Sequence, residues 1–399
     1  MSRRATAALT ALLLLLLALP AAATSTRLLS MGGGGDYFED VDNVQRWFGS
    51  LATYPDLMLL ELGESSGSNA VGQALGAHLS LDPAHRFGVA GLWIYDDDPS
   101  QDVRLMWGLK RDVWQAGLQA RFGNEARIAT SYDYRTGVHS VDEAEAWTWS
   151  LGTGVRLDLA PRTWIDVAYE GTMTRVQAIE EEVVQFSDRR SLDSFALRWR
   201  LFHGLGERLV LVPCVTWERD LRPELVYADW FGINHDGYNV GTYYLDDARS
   251  FSAGLGLSLL PDPDRMLQAS LTWSRVESRL TDPATGADTW LQRQDVETDA
   301  LTIRLGGEMR VLHWLTVRTG VWKTMSENVI TRYGTAWWNQ YSGIGRDEMD
   351  ASLGCGLHFG AFDADMVLTD AAPFRAGGLL TGTTGGNALW SRITLQVVF

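Results

Sequence analysis

Eleven charged residues share one placement. Arg156, Asp158, Asp166, Glu170, Arg198, Arg200, Arg304, Glu308, Arg318, Asp350 and Arg392 each lie on the polar parity of a run whose other parity is apolar. Side chains in a strand alternate between faces, so these arginines and carboxylates point to the same side of whatever sheet the runs build. Such an array can do one of two things. It can line a polar path for solutes, as charged rings do in pores. It can also pair internally, brace a wall and bind an acidic segment of the same chain.

Other constellations are weaker. His78, His139, His203, His235, His313 and His358 are scattered without the spacing of a metal-ligand set. The acidic runs Asp96 to Asp98 and Glu180 to Glu182 lack the spaced ligands and glycine of a calcium loop. No metal and no cofactor is expected. His235 stands beside Asp236 between Gly232 and Gly237, but no serine in a matching local context accompanies them. A catalyst needs nucleophile, base and orienter in mutual reach, so no catalytic residue is assigned and the chain is not read as an enzyme. Two polar stretches are rich in aromatics. One holds Tyr227, Trp230, Phe231 and Tyr238, and the other Trp337, Trp338 and Tyr341. They either bind an apolar, carbohydrate or protein partner or pack on one another.

The elements that position these residues follow from period-two patterning. Trp147, Trp149, Leu151, Val155, Leu157 and Leu159 oppose Thr148, Ser150, Gly152, Gly154, Arg156 and Asp158. Phe251, Ala253, Leu255, Leu257 and Leu259 oppose serines and glycines, and runs of this kind fill the chain from Leu57 onward. That is an all-β pattern. Many runs hold ten or more residues, as a tilted strand needs to cross lipid. Seven connections are short, as at Lys110–Asp112 and Ala160–Arg162. Eight are longer, near 63–69, 96–102, 138–144, 177–190, 219–247, 281–294, 326–346 and 370–388. Strict alternation of tight turns and long loops marks an outer-membrane barrel. The expectation is a transmembrane antiparallel up-and-down β-barrel of 14–16 strands. The weakest strands are Leu57 to Leu62 and Ala364 to Leu368, and a bulge is expected at Gly123-Asn124-Glu125. Trp93, Tyr95, Trp147, Trp149, Trp164, Trp217, Trp273, Trp314 and Trp390 are expected to form the aromatic girdle.

The ends of the chain agree with that location. Arg3 and Arg4, an apolar run to about Leu19 and Ala21-Ala22-Ala23 read as a signal peptide over 1–23. The chain ends on Leu389 to Phe399, where Ile393, Leu395, Val397 and Phe399 take the apolar parity. A terminal aromatic on such a strand resembles the signal read by the outer-membrane insertion machinery. A charge at Leu395 is expected to impair insertion and Thr394 to tolerate polar change. The net charge of −16, near −18 without the signal arginines, argues against nucleic acid as a partner. Cys214 and Cys355 fall on opposite parities, so two buried free thiols are expected rather than a disulfide.

Residues 24–56 do not alternate. They run through Met31-Gly32-Gly33-Gly34-Gly35 to the acidic Asp36, Glu39, Asp40 and Asp42 and then Trp47-Phe48. Thr26-Arg27-Leu28-Leu29-Ser30-Met31-Gly32-Gly33, with Asp40, Asn43 and Leu51-Ala52 before Tyr54-Pro55, resembles the opening of the FadL/PorV-type outer-membrane protein superfamily. Phe48-Gly49-Ser50-Leu51 stands where that family carries an Asn-Pro-Ala-x-Leu box. In its fatty-acid transporters this segment is a hatch inside a fourteen-strand barrel, and in PorV-type members the barrel serves protein secretion. The resemblance therefore implies a hatch over 24–56 and a barrel over 57–399. The expected function is a channel or transporter for small solutes, hydrophobic ones included, in the outer membrane of a Gram-negative-type bacterium. Its partners would be outer-membrane lipid, the insertion machinery and an unknown solute. The alternative is a surface or secretion-associated scaffold whose loops dock a protein.

Overall fold

A computed structural model describes residues 25–399 apart from 64, 67–68, 71–72, 83–86, 98–99, 134–137, 181–182, 190–193, 221–224, 228–241, 263, 282–292, 334–337, 345–347 and 370–391. It gives the main chain alone at 65–66, 69–70, 97, 125–133, 138–146, 176–180, 183–189, 225–227, 242–247, 280–281, 293–294, 332–333, 338–344 and 368–369. Sixteen strands form one closed, antiparallel, up-and-down barrel. The first six are β1 (Leu57–Gly63), β2 (Gln73–Ser80), β3 (Val89–Asp97), β4 (Ser100–Lys110), β5 (Trp114–Asp133) and β6 (Val138–Ala160). The next five are β7 (Thr163–Glu180), β8 (Ser194–Gly204), β9 (Leu209–Asp220), β10 (Thr242–Asp262) and β11 (Arg265–Thr281). The last five are β12 (Arg293–Leu312), β13 (Leu315–Tyr333), β14 (Glu348–Phe359), β15 (Phe362–Thr369) and β16 (Arg392–Val398). Both weak strands are present as β1 and β15. The ring shuts where β1 pairs with β16, from Leu57 opposite Val398 to Gly63 opposite Arg392.

The outward parity carries the apolar residues. Leu105, Leu118, Leu151, Leu255, Leu271 and Leu305 are all exposed. An apolar band of this extent is stable only against lipid. Its outer margin is marked by Trp149, Trp217 and Trp273. Beyond Trp273 the outward parity turns ionic, with Arg275 bonded to Glu277 at 2.8 Å and to Glu297 at 2.9 Å. Strands of 20 to 23 residues such as β5 and β6 exceed the ~9–11 residues that cross lipid, so the wall continues into water.

That extension corrects several expectations. The stretch near 138–144 is strand rather than loop, and β3 and β4 are linked by two residues only, 98–99. Polar composition there does not interrupt the ladder, which pairs 138–146 with 125–133. Registers run unbroken through Gly123, Asn124 and Glu125, so no bulge is present there. Trp93, Tyr95 and Trp164 are not girdle residues, Tyr95 stacking on Trp93 inside the barrel, and Trp390 lies outside the described residues. Trp93 is 1% exposed and faces inward, and Trp164 stacks on the inward Phe202 with ring centroids 4.6 Å apart. Both cysteines are free, but only Cys214 is buried; Cys355 is partly exposed on the outward face.

The core of the molecule is the N-terminal segment. It enters the lumen as a short helix α1 (Ser25–Ser30) followed by 3-10 turns at Gly35–Tyr37, Val41–Gln45 and Phe48–Thr53. All three hydrophobic clusters are built on it, around Trp47 and Phe48, around Val41, Val44 and Leu51, and around Met31 and Phe38. A barrel of this size is too wide for wall side chains to fill, and here the chain's own start fills it. Gly32, Gly33 and Gly34 all have φ near +80°, a left-handed run open to glycine.

The filled lumen as candidate functional site

The glycines on the inward parity have a specific use. They form sockets for the inner segment on the short-turn half of the barrel. Phe48 lies over Gly117, Gly152 and Gly154, where a Cβ at Gly152 would collide with its ring. Tyr37 lies over Gly254 and Gly256, and Met31 over Gly306, whose Cβ would meet the Met31 carbonyl at 2.6 Å. The Tyr37 hydroxyl pairs with Thr272 Oγ1 at 2.6 Å.

Two ionic sets flank these sockets. On one side Arg156 (β6), Asp166 (β7) and Arg200 (β8) are directly opposite in register. Arg156 donates to both Asp166 oxygens, at 2.7 and 3.0 Å, and Arg200 Nε donates to Asp166 Oδ2 at 2.8 Å. From the inner segment, Glu39 Oε1 meets Arg156 Nη1 at 2.5 Å and the Asp36 carbonyl accepts from Arg200 at 3.2 Å. Arg200 is fully buried, its guanidinium over the Trp47 ring at 4.4 Å. On the other side Arg318 (β13) donates to Glu308 (β12) at 2.6 Å and to Asp365 (β15) at 2.5 Å. Arg27 forks onto the same Glu308 at 2.7 and 2.9 Å, and its Nη1 lies 3.7 Å from the buried Asp40. Glu39 pairs with Arg156 on one wall, and its chain neighbour Asp40 lies by Arg27, which pairs with Glu308 on the other.

The remaining contacts tie the segment to the seam of the barrel. Ser25 donates to Glu61 and accepts from Arg392 at 3.0 Å. The Thr26 and Thr394 hydroxyls pair, and Thr394 also donates to Glu61 at 3.3 Å. Thr394 is fully buried. The expectation that it tolerates polar change is therefore corrected, because both its contacts depend on a small hydroxyl. His78 Nδ1 bonds the Tyr54 carbonyl and Nε2 the Trp93 indole, both at 2.9 Å. A carbonyl only accepts and an indole N–H only donates, so the imidazole is neutral with its proton on Nδ1. At the junction, Asp56 has φ +53° and its carbonyl accepts from the Phe399 N–H at 2.9 Å.

The acids of the inner segment are tuned apart. Burial raises the Asp36 carboxyl, but Arg46 and Arg200 outweigh burial and hold it below its ordinary value. Burial drives Asp40 well above the usual carboxylate range, and Arg27 offsets this only in part. Burial and the nearby Glu61 push Asp42 up to about 6, against the pull of Arg392.

Of the eleven charged positions read from sequence, Arg156, Asp166, Arg200, Glu308, Arg318 and Arg392 thus meet the segment or its ionic sets. Arg198 pairs with Glu170 at 3.3 Å and with Glu218 at 2.9 Å further out. Arg304 lies along Gly33 and Gly34, and Asp350 stands opposite Trp322 in register. Asp158 is exposed near the short-turn rim, two residues before the end of β6, and meets none of these sets. Glu61 and Asp365 were not singled out from the sequence, and Glu39 was named only as one of the acids of residues 24–56. An Asp363-x-Asp365 pair was the available signal, obscured because Val367 puts an apolar residue on the inward parity of β15. Trp230, Phe231, Tyr238 and Trp337, and the side chains of Tyr227, Trp338 and Tyr341, lie outside the described residues. Ile393, Leu395 and Val397 take the outward face of β16, and Phe399 is exposed beyond it. A hydroxyl, imidazole and carboxylate do align once, as Thr316 Oγ1 to His358 at 2.9 Å and His358 to Asp363 at 2.7 Å. Thr316 is 4% exposed, and the set fastens β13, β14 and β15 together.

No family model matches the chain, and no curated protein matches it. Among solved structures it is similar to CdiB from Escherichia coli, at 11% identity and a TM-score of 0.49, covering 87% of this chain and 63% of that one. It is similar to the Pseudomonas putida toluene transporter TodX, at 10% identity and a TM-score of 0.44, covering 96% and 97%. It is also similar to the CymD monoaromatic hydrocarbon channel, at 10% identity and a TM-score of 0.37, covering 94% and 98%. The chain spans less than two thirds of the length of CdiB. These likenesses are of the barrel fold alone.

Proposed function

We propose that the protein is an outer-membrane channel for small solutes whose lumen is closed by a hatch, residues 24–56. The observation that carries this reading is how the segment is attached. Among the described residues, the main-chain hydrogen bond joining it to the wall is the one from Phe399 to Asp56. Its other fastenings all run through side chains: ion pairs, hydroxyl pairs, rings seated on glycine, and wall side chains that donate to segment carbonyls, as Arg200 to Asp36, His78 to Tyr54 and Ser352 to Ser30. Such a body can leave its sockets as a unit while every strand ladder stays intact. A permanent filler would gain more from pairing with the sheet.

The wall chemistry favours polar solutes over hydrophobic ones. Above the sockets the inward parity offers Ser150, Thr174, Thr216 and Thr302 with the Arg198 set. The exposed apolar band supports an outer-membrane location, with lipid as its solvent. The resemblance of the N-terminal motif to FadL/PorV-type proteins supports the same closing role for the segment, here in sixteen strands.

Reconstitution in a planar bilayer tests the reading. The full chain is expected to conduct little, and deletion of residues 24–56 to raise conductance in a barrel that still folds. A folded barrel that stays sealed in both forms would overturn it.

A further inference from the structure

Among the described residues, the two wall sets that form ion pairs with the hatch are charge inverses. Arg156, Asp166 and Arg200 are two cations around one anion, and Glu308, Arg318 and Asp365 are two anions around one cation. Each set is one charge from neutral. The hatch supplies the missing charge in both places, through Glu39 to Arg156 and through Arg27 to Glu308. Both sets lie three to four residues in from the short turns, so they share one level. Their middle strands, β7 and β13, are six places apart in the ring of sixteen.

The sets do not need the hatch to hold their shape. Their internal hydrogen bonds run from 2.5 to 3.0 Å, all between neighbouring strands except Arg318 to Asp365, which crosses β14. Arg318 reaches Asp365 by passing over Gly356, where a Cβ would stand 2.6 Å from Asp365 and 2.7 Å from Arg318. Arg200 in addition keeps Nη2 without a hydrogen-bond partner although the residue is fully buried. A buried donor left open in this way is uncommon and calls for an acceptor. Arg198, Glu170 and Glu218 form a separate set further out, one cation between two carboxylates, with Glu218 open to water.

We infer that the open channel selects zwitterionic solutes, amino acids and short peptides, at the level of these two sets. This rests on the gated-channel reading. When the hatch withdraws, it leaves an uncompensated positive wall facing an uncompensated negative wall across a lumen bounded by low-dielectric material, where fields are focused. The hatch itself models the ligand, since Glu39 and Arg27 are an anion and a cation on one chain. A zwitterion is oriented and stabilised by both walls. A neutral sugar gains from neither, and a simple anion is drawn to one wall and repelled by the other.

Swelling of proteoliposomes that hold the full chain tests this, with triglycine and sorbitol as probes of similar mass. Triglycine is expected to enter several-fold faster than sorbitol. In Arg156→Gln/Glu308→Gln the ratio is expected to fall to near one, while Arg156→Lys, which keeps the charge, retains the preference. A wild-type ratio at or below one, or a ratio unchanged in the doubly neutralised variant, would overturn the inference while leaving the channel reading standing. Entry of neither solute, with the hatch present or deleted, would remove the channel reading and this inference together.

Discussion

Replacing Phe48 by alanine separates a seated, removable hatch from a fixed filler. Phe48 is 1% exposed and packs with Tyr37, Trp47 and Cys214 over glycine sockets. A buried Phe→Ala change costs ~3–5 kcal/mol where the site cannot collapse. Part of this socket is backbone on a rigid wall, so little collapse is available. Taking the low end, ~3 kcal/mol raises the population of the unseated hatch about a hundredfold, at ~1.4 kcal/mol per decade. The molecule carries its own reporter. Cys214 is 5% exposed and lies opposite Arg200 in register, beneath the hatch. Its rate of reaction with a small neutral maleimide follows the open population when reseating is fast. In a Cys355→Ala background, Phe48→Ala is expected to label about a hundred times faster than its parent, and Phe48→Leu to fall between them. Heat-modifiable migration on a gel verifies that the barrel is intact in each case. Labelling within threefold of the parent, in an intact barrel, would refute the reasoning that packing at Phe48 holds the hatch as a unit.

Seating should also weaken as pH rises from about 4 to 6. Burial and Glu61 raise the Asp42 carboxyl from 3.8 to about 6 in the closed state, facing Arg392, Arg104 and Arg46. Below the ordinary value both states hold the proton and seating suffers no penalty. As pH climbs to the raised value, the closed state must keep a proton that the free hatch releases. Two units correspond to ~3 kcal/mol at 1.36 kcal/mol per unit, reduced because Asp42 is partly exposed. Cys214 labelling, corrected for the reagent's own pH dependence, is expected to be about tenfold faster at pH 7 than at pH 4, and a flat or inverted profile would count against it. The Asp36 carboxyl, held low, works the other way only at more acid pH. On β16 the two faces should respond differently. Deleting Phe399 or introducing Leu395→Asp is expected to impair membrane assembly, read as loss of heat-modifiable barrel. Thr394→Val should assemble normally but loosen the hatch, since it loses both the Thr26 and the Glu61 contacts.

Much of the architecture was legible because a strand writes its two solvents into alternate residues. Leu151, Val155 and Leu157 against Gly152, Gly154 and Arg156 state both faces and nearly the strand's limits. The same rule misled above the girdle, where 138–144 lost its alternation and read as a loop, although the ladder continues. It also misled where the inward face is dry. Trp93 looks like a girdle residue by position, but the hatch gives it an apolar, fully buried site within the lumen. Asp365 was hidden for the same reason, beside an inward Val367.

The inward glycines show where sequence stops. Their abundance on one parity was visible, but their purpose was not, since a socket is defined by what fills it. Gly152 and Gly154 are more than 90 residues from Phe48, and Gly306 is 275 residues from Met31. The sequence by itself determined the strands, their lipid-facing parity, the identity of the charged residues on the other parity and a start that does not alternate. These are local consequences of side-chain period and solvent. Only the tertiary structure decided that the non-alternating start fills the lumen, and that Glu39 and Arg27 meet sets of opposite charge. Closing the ring of strands brings those residues within ion-pair distance, and no local pattern records which walls will face each other across it.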